Sequence, residues 1–380
     1  MFALFRAHQY ACAFGTVHRL PCAAAETLEQ HIRTFFQNGG VAAGAPVLVG
    51  ALPFDVRAPA FLYQPEQFQR GAGRGPLVPV PEVGAARIWA PFQVAAEPDP
   101  DAYAAMVRRA LDMIRQGALS KVVLSRSLQI EAATPVDPLQ VAARLARDAG
   151  ATTFVLALPE PEDGVSTTLV GATPELLVSR SGAQVVSHPL AGSAPRCRDG
   201  SDDEAIAQML LRSDKDRREH ALVVEAVLDI LSPYCTSLGA PDGTVLHSTA
   251  TMWHLGTRIE GVLRDDAPSA AGLAALLHPT PAVGGSPRSA ALDAIRAIES
   301  RDRGFYAGAI GWTDAQGDGE WHVTLRCAEI CSNRLTLQAG AGIVEGSNPD
   351  AEVAETAAKF RAMLRAIEME EAGDFLEAVL

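Results

Sequence analysis

The sequence is poor in the features that hold small secreted or membrane-spanning proteins together. Its six cysteines, at 12, 22, 197, 235, 327 and 331, are scattered over 380 residues. They are too few and too dispersed for a disulfide framework, so a reducing cytoplasm is the expected setting. Cys327 and Cys331 fall on one face of an expected strand, but no second Cys or His cluster accompanies them to complete a tetrahedral zinc site. The apolar stretch from Gly39 to Phe54 is shorter than a bilayer span and carries Pro46, Pro53 and several glycines, which suits a buried strand. The amino terminus, MFALFRAHQYACAF, lacks the basic start and unbroken apolar run of a secretory signal. Positive charge is scarce as well. With 32 Lys and Arg against 45 Asp and Glu, the net charge of −13 argues against nucleic acid or an anionic membrane as partner, and an anionic ligand has to be held by local charge. No repeat of fixed period stands out.

What is present is enough chain for one large domain or about two ordinary ones. The proline-rich stretch 60–100, punctuated by GAGRGPLVPVPEVG at 71–84, reads as strands and loops. Residues 1–95 are expected to complete the same sheet system as the main region, 96–366, and an acidic amphipathic tail, 367–380, reads as a surface helix. Asp99-Pro100-Asp101 caps a helix that stops at Gly117. Further helices fit 137–149, 202–232, 269–277, 288–300 and 349–371. Strands fit 121–131, 153–159, 167–180, 184–189, 249–262, 305–313, 321–330 and 333–341. Short turns such as Ser181-Gly182 and Ser332-Asn333 make the pairing mainly antiparallel with helices outside, an α+β fold.

Several residues could carry chemistry. Lys121 opens a strand; desolvated, such a lysine serves as a general base, whereas at an edge it is merely solvated. Glu175 stands in an otherwise apolar run, which raises its pKa and lets it donate a proton near neutral pH; the plainer alternative is a carboxylate paired with an arginine. Glu219 lies one turn before Val223 on the apolar face of its helix. Pro349 suits a first helical position, and Glu352, Glu355 and Lys359 then share one stripe. Glutamates from two helices are suitable oxygen ligands for Mg²⁺, although an exposed charged face is the simpler reading of such a stripe. Arg326 can fork onto a carboxylate, Tyr306 can add a hydroxyl, and Gly340 and Gly342 let a backbone approach an anion. Their spacing with Gly346 is not that of a dinucleotide fingerprint. By themselves, Gly192-Ser193 read as a turn and His254, in TMWHL, as a hydrogen-bonded core histidine. Two prolines stiffen the loop His278-Pro279-Thr280-Pro281-Ala282.

The motifs SKVVLSR (120–126), GATPELL (171–177), PLAGSAPR (189–196), SDKDRREH (213–220), HPTPAVGGSP (278–287), RDRGFYAGAIGW (301–312), LRC (325–327), GAGIV (340–344) and AETAAK (354–359) occur in that order. Over roughly residues 95–365 the chain resembles the chorismate-utilising enzymes, and among them most closely the isochorismate synthases. The resemblance implies two large, mainly antiparallel sheets packed together with helices outside, a monomer, and Mg²⁺ held by Glu219 and Glu355 with Glu352 contributing directly or through water. It implies Lys121 as the base that activates water and Glu175 as the acid that protonates a leaving hydroxyl. Gly192, Ser193, His254, Ala282, Tyr306, Arg326, Gly340, Gly342 and Lys359 become substrate contacts. Relatives that install nitrogen usually lack the lysine, and those that install nitrogen or proceed to salicylate commonly carry threonine where this chain has Ala282. Lys121 with Ala282 therefore favours a reaction that stops at isochorismate, a precursor of siderophores, salicylate and menaquinone. A salicylate synthase, an amination enzyme and a non-catalytic chorismate-binding protein remain as alternatives.

Overall fold

Period-two alternation of apolar side chains decides which segments become strands and which two surfaces each strand joins. The computed structural model describes residues 1–6, 8–21, 23–38, 44–73, 75, 92–159, 164–197, 200–367 and 369. Most of the 71–84 punctuation and the tail beyond 369 lie outside the described residues. The chain opens with β1 (Phe2–Arg6), β2 (Gln9–Phe14) and β3 (His18–Arg19), followed by α1 (Leu28–Gln37), β4 (Val47–Leu52), β5 (Phe61–Gln64), β6 (Gln67–Ala72) and β7 (Phe92–Glu97). Next come α2 (Pro100–Arg115), β8 (Lys121–Ala132), α3 (Pro138–Leu145), β9 (Thr152–Ala157), β10 (Thr167–Thr173), β11 (Leu176–Ser181), β12 (Gln184–His188) and β13 (Leu190–Pro195). Two helices, α4 (Gly200–Arg212) and α5 (Asp214–Leu231), lead to β14 (Cys235–Gly239), β15 (Thr244–Ser248), β16 (Met252–Thr257) and β17 (Ile259–Leu263). The last part holds α6 (Ala270–Leu277), β18 (Gly285–Ser286), α7 (Arg288–Ile298), β19 (Ala309–Asp314), β20 (Gly319–Val323), β21 (Cys327–Cys331), β22 (Arg334–Val344) and α8 (Pro349–Ala366).

Ten strands form the first sheet in the order β18-β8-β22-β21-β10-β9-β1-β2-β6, with β7 also on β8. Nine form the second, β14-β17-β12-β11-β20-β19-β4-β5-β3, and β13-β16-β15 make a small third. The pairings in both large sheets are antiparallel, so the α+β architecture of two large sheets is as expected. Phe2 and Leu4 on β1, with Phe154 and Leu156 on β9, face the second sheet and join Val49, Leu177, Ile310 and Trp321 in one core. Their neighbours Ala3, Phe5 and Val155 face the other way, onto Val141 and Leu145 of α3 and Phe360, Met363 and Leu364 of α8. Each such buried Phe or Leu contributes roughly 1.5–3 kcal/mol, and the alternation makes a one-residue register slip forfeit both cores at once. β1 pairs with β9 and β4 with β19, so the first 95 residues supply strands to both large sheets. Among the described residues no helix is long and apolar enough to cross a membrane.

The structure divides several segments that the sequence presents as single elements. The expected strand 167–180 is two, β10 in the first sheet and β11 in the second, and 321–330 is likewise β20 and β21. Pro174 has no N–H to continue a ladder, and Arg326 has φ +46, which a non-glycine residue rarely adopts. The two crossings are laced together, Ala172 N–H donating to Arg326 O at 3.1 Å and Val323 N–H to Glu175 O at 3.2 Å. The span 249–262 similarly splits into β16 and β17, which belong to different sheets. The expected helix 202–232 breaks at Ser213, whose hydroxyl accepts the Asp216 N–H and so starts α5 afresh. The helix expected over 349–371 ends at Ala366. The Gly192 segment, by itself a turn, is strand β13 with a bulge at Gly192 (φ +77), and the strand expected over 333–341 runs on through GAGIV to Val344 as β22.

Candidate active site

Both crossings open onto one cavity, bordered by β13, β22, α5 and α8. Every expected site residue lines it except Lys121 and Glu352.

Lys121 is fully buried and stands directly behind the wall, its Nζ 2.9 Å from Glu219 Oε1. The pair meets where β22 runs on beyond the end of β21, paired with β8 alone. Only Leu337 and the residues before it pair with β21, whereas Gly340 and Gly342 pair with Ser125 and Val123 of β8. A side chain at Gly342 would overlap Glu219 Oε1 and lie 3.2 Å from Lys121 Cε, so glycine here makes room for the ion pair rather than for a loop. Burial works to raise the Glu219 carboxyl, but Lys121, then Lys359 and Lys215, outweigh it and hold Glu219 below the ordinary carboxylate range.

Glu175 has the opposite balance. It is 2 % exposed at the β10–β11 crossing, and burial pushes its carboxyl up to about 8 against the pull of the Leu190 N–H, Lys121 and Lys359. Its Oε1 is buried without a hydrogen-bond partner. A neutral carboxylic acid with a spare oxygen on a cavity wall is a proton donor at pH 7.

Arg326 sits at the other crossing, 8 % exposed, donating to Thr249 Oγ1 at 2.8 Å and to His254 Nε2. Burial lowers the guanidinium to about 10, with Asp148 opposing. Because arginine only donates, His254 must accept at Nε2 and carry its proton on Nδ1, which then donates to Ser193 Oγ at 2.9 Å. Burial first, then Arg326, lowers the His254 pKa well below its ordinary value, so the ring is neutral. The core-histidine reading describes it: His254 is packed and bonded, and from its place in the cavity lining it holds Arg326 and Ser193. Tyr306 lies in the turn before β19, not in the strand, and burial raises its hydroxyl above the ordinary range.

On α8, Glu355 and Lys359 pair at 2.7 Å on the cavity wall, and Lys359 Nζ also donates to Gly340 O at 2.8 Å. Glu352 does not line the cavity; it is 1 % exposed and held by Lys215 Nζ at 2.9 Å, with Oε2 unpartnered. Burial, then the neighbouring Glu355, raises its pKa. Among the described residues no group of three or more His, Cys, Asp or Glu is arranged to hold a metal ion.

Sequence reasoning passed over two groups. Lys215 balances Glu352 from the first turn of α5. Arg303, 2 % exposed on the cavity wall, binds Glu299 and donates to Val283 O at 2.8 Å and Val123 O at 2.7 Å, while Glu299 accepts the Ser125 N–H at 2.8 Å. This pair stands in for a strand on the edge of β8 between β18 and β7. The i, i+4 spacing of Glu299 and Arg303 was the available signal, but it suits any exposed helix.

Residues 86–368 match the family model described as chorismate binding enzyme. The isochorismate synthase DhbC of Bacillus subtilis (strain 168) is 46 % identical over 324 residues, 85 % of this chain and 81 % of that protein. A crystal structure of a putative 2,3-dihydroxybenzoate-specific isochorismate synthase, DhbC of Bacillus anthracis, superposes with a TM-score of 0.90 at 39 % identity, covering 97 % of this chain and 96 % of that one. MenF, the menaquinone-specific isochorismate synthase of Escherichia coli, gives 0.81 at 25 % identity over 96 % and 88 %. With the family model spanning most of its length and its fold shared with these relatives, the chain belongs to the chorismate-binding enzymes.

Proposed function

We propose that the chain is an isochorismate synthase, converting chorismate to isochorismate by adding water at C2 and releasing the C4 hydroxyl. The observation that carries this reading is the neutral Glu175 carboxyl facing a cavity that a buried lysine–glutamate pair backs. The isochorismate synthases among its relatives support it.

The residues present suit a magnesium ion. Glu219 and Glu355 bring carboxylate oxygens to the same wall from two helices, and each now has an ammonium group, Lys121 or Lys359, as counter-cation. Glu219 and Glu355 would hold the ion, with Glu352, which does not line the cavity, contributing through water, and bound Mg²⁺ would supply positive charge for the ring carboxylate of the substrate.

The chain's own groups do the rest. Arg326, fixed by Thr249 and His254, presents its guanidinium to the enolpyruvyl carboxylate, and the Tyr306 hydroxyl adds a donor. Ser193, whose oxygen accepts from His254, keeps its own proton to give to the substrate. Lys121, in its free-amine form, takes a proton from water as the water attacks C2, and Glu175 gives its proton to the departing hydroxyl as the double bonds shift. Ala282 leaves the ring wall apolar, which supports release of isochorismate over further elimination to salicylate. Action in the cytoplasm as a monomer belongs to the same proposal. Incubation with chorismate, with and without Mg²⁺ and without ammonia, tests it: a same-mass isomer formed only with Mg²⁺ is expected. Salicylate with pyruvate, or no conversion, would overturn it.

A further inference from the structure

Glu299 and Arg303 have no part in the mechanism above, yet their side chains are only 5 % and 2 % exposed. A buried pair of this kind adds little stability over apolar side chains of the same size, so its place beside the cavity has another cause. Among the described residues, no strand covers the edge of β8 between Val122, where β18 stops, and Ser127, where β7 begins. Glu299 takes the Ser125 N–H there and Arg303 Nη2 the Val123 carbonyl, while Arg303 Nη1 reaches across to Val283 O. One planar group thus ties β8 to the loop 278–287, whose residues Ala282 and Val283 line the cavity. That loop carries β18, a strand of two residues, and β18 is what pairs with the start of β8: Ser286 with Lys121, Gly285 with Val122.

The guanidinium is itself held on every side. Its Nε and Nη2 fork onto the two oxygens of Glu299, and the Phe54 ring centroid lies 4.1 Å from its Cζ. The Arg303 carbonyl accepts Gln338 Nε2 at 3.2 Å. Phe54 N–H donates to Gly304 O at 2.9 Å, and His278 Nε2 donates to Pro53 O at 3.0 Å, so the far end of the same loop is fastened to the segment that covers Arg303. We infer that Arg303, oriented by Glu299 and Phe54, is a positioning residue that sets where Lys121 stands relative to the water it activates. The inference rests on the reading of Lys121 as the base of an isochorismate synthase. A shift of the loop moves β18 and with it the start of β8, and a displacement of about 1 Å in a reacting group lowers the rate about 10²-fold. Lysine cannot take over the task, because its single nitrogen cannot meet Val123 O, Val283 O and both Glu299 oxygens at once.

A double-mutant cycle on the full chain, with chorismate and saturating Mg²⁺, tests the inference. Arg303→Lys keeps a cation opposite Glu299 and should lower kcat about 10²-fold, with KM within about twofold of the unsubstituted value. In a Lys121→Met background the same change should lower the residual kcat by less than about threefold, because a base that is absent cannot be misplaced. Counting kcat per Mg²⁺ site, titrated by calorimetry, removes any unfolded fraction from the comparison. Glu299→Asp keeps the charge but draws the carboxylate back from Ser125 and Arg303; it should show the same pattern at about tenfold, and it carries the test if the lysine variant does not fold. Equal losses in both backgrounds, or a rate that falls only in step with the number of Mg²⁺ sites, would overturn the inference. Failure of the unsubstituted protein to convert chorismate would instead sink the functional reading, and this inference with it.

Discussion

Replacing Glu175 with glutamine should abolish turnover and at the same time make the protein more stable at neutral pH. In the folded chain Glu175 titrates at about 8, whereas its ordinary value is 4.5. At pH 7 the unfolded chain therefore carries the carboxylate and the folded chain the acid. Folding takes up a proton across about 2.5 pH units, at about 1.36 kcal/mol each, a cost of about 3 kcal/mol. The folded pKa is the raised one, so this stability is fully present below pH 4.5 and is lost as pH rises towards about 8. Glutamine has no proton to bind, is close in shape, and its amide oxygen can still accept the Leu190 N–H. With an unfolding entropy of about 2.1 cal/mol/K per residue over 380 residues, about 3 kcal/mol corresponds to about 4 °C in Tm. The variant should melt about 4 °C higher at pH 7, the gap closing as pH falls to 4.5, while kcat drops by at least about 10²-fold. Unsubstituted enzyme should lose kcat on the alkaline side of about pH 8. Melting curves by calorimetry from pH 5 to 8 are the assay. A Tm difference that does not change with pH would refute the claim that burial keeps Glu175 neutral.

Lys121→Met should lower kcat by about 10²–10⁴-fold with KM little changed, and, by leaving Glu219 buried without its ammonium, cost about 3–5 kcal/mol in a denaturant titration. Retention of full turnover would remove Lys121 from the mechanism. Gly342→Ala should displace Glu219 and Lys121 together; a kcat within twofold of the unsubstituted enzyme would show that the close approach at β22 is irrelevant to catalysis. Chelation of divalent cations should stop turnover, with Mg²⁺ restoring it, and Glu355→Gln should raise the Mg²⁺ concentration for half-maximal rate about tenfold or more. An unchanged Mg²⁺ titration would exclude Glu355 as a ligand.

What could be read in advance was whatever depends on a single periodicity. Glu219 one turn from Val223, and the Glu355–Lys359 stripe behind Pro349, follow from helical spacing, and the structure puts both on the cavity wall. The strand beginning at Lys121 was legible from alternation. What could not be read was where a strand changes sheet. Along 167–180 and 321–330 the apolar pattern continues through the crossings, because both sides of each crossing are buried, and alternation reports burial without saying against which sheet. Gly342 was singled out as a place where a backbone can approach an anion, and the structure adds a second requirement that spacing does not reveal, room on a strand for side chains arriving from α5 and β8. Arg303 and Glu299 escaped because their partners, Val123, Ser125 and Val283, are backbone groups far away in the chain.

The crossings and the charges together explain why one cavity can take a dianion in so acidic a chain. Where β10 and β20 leave their sheets, backbone pairing lapses, and the side chains at the lapse, Glu175 and Arg326, face the gap instead of a neighbouring strand. Around them the charges cancel in pairs: Glu219 with Lys121, Glu352 with Lys215, Glu355 with Lys359, Glu299 with Arg303. Glu175 is neutral at pH 7. Among the described residues this leaves Arg326 as the cavity's one cation with only neutral hydrogen-bond partners, Thr249 and His254. One guanidinium answers one carboxylate of chorismate, and the second would remain a buried, uncompensated charge, which costs several kcal/mol. In the proposed function that balance would be restored by a divalent cation held by Glu219 and Glu355, whose counter-charges in the structure are Lys121 and Lys359.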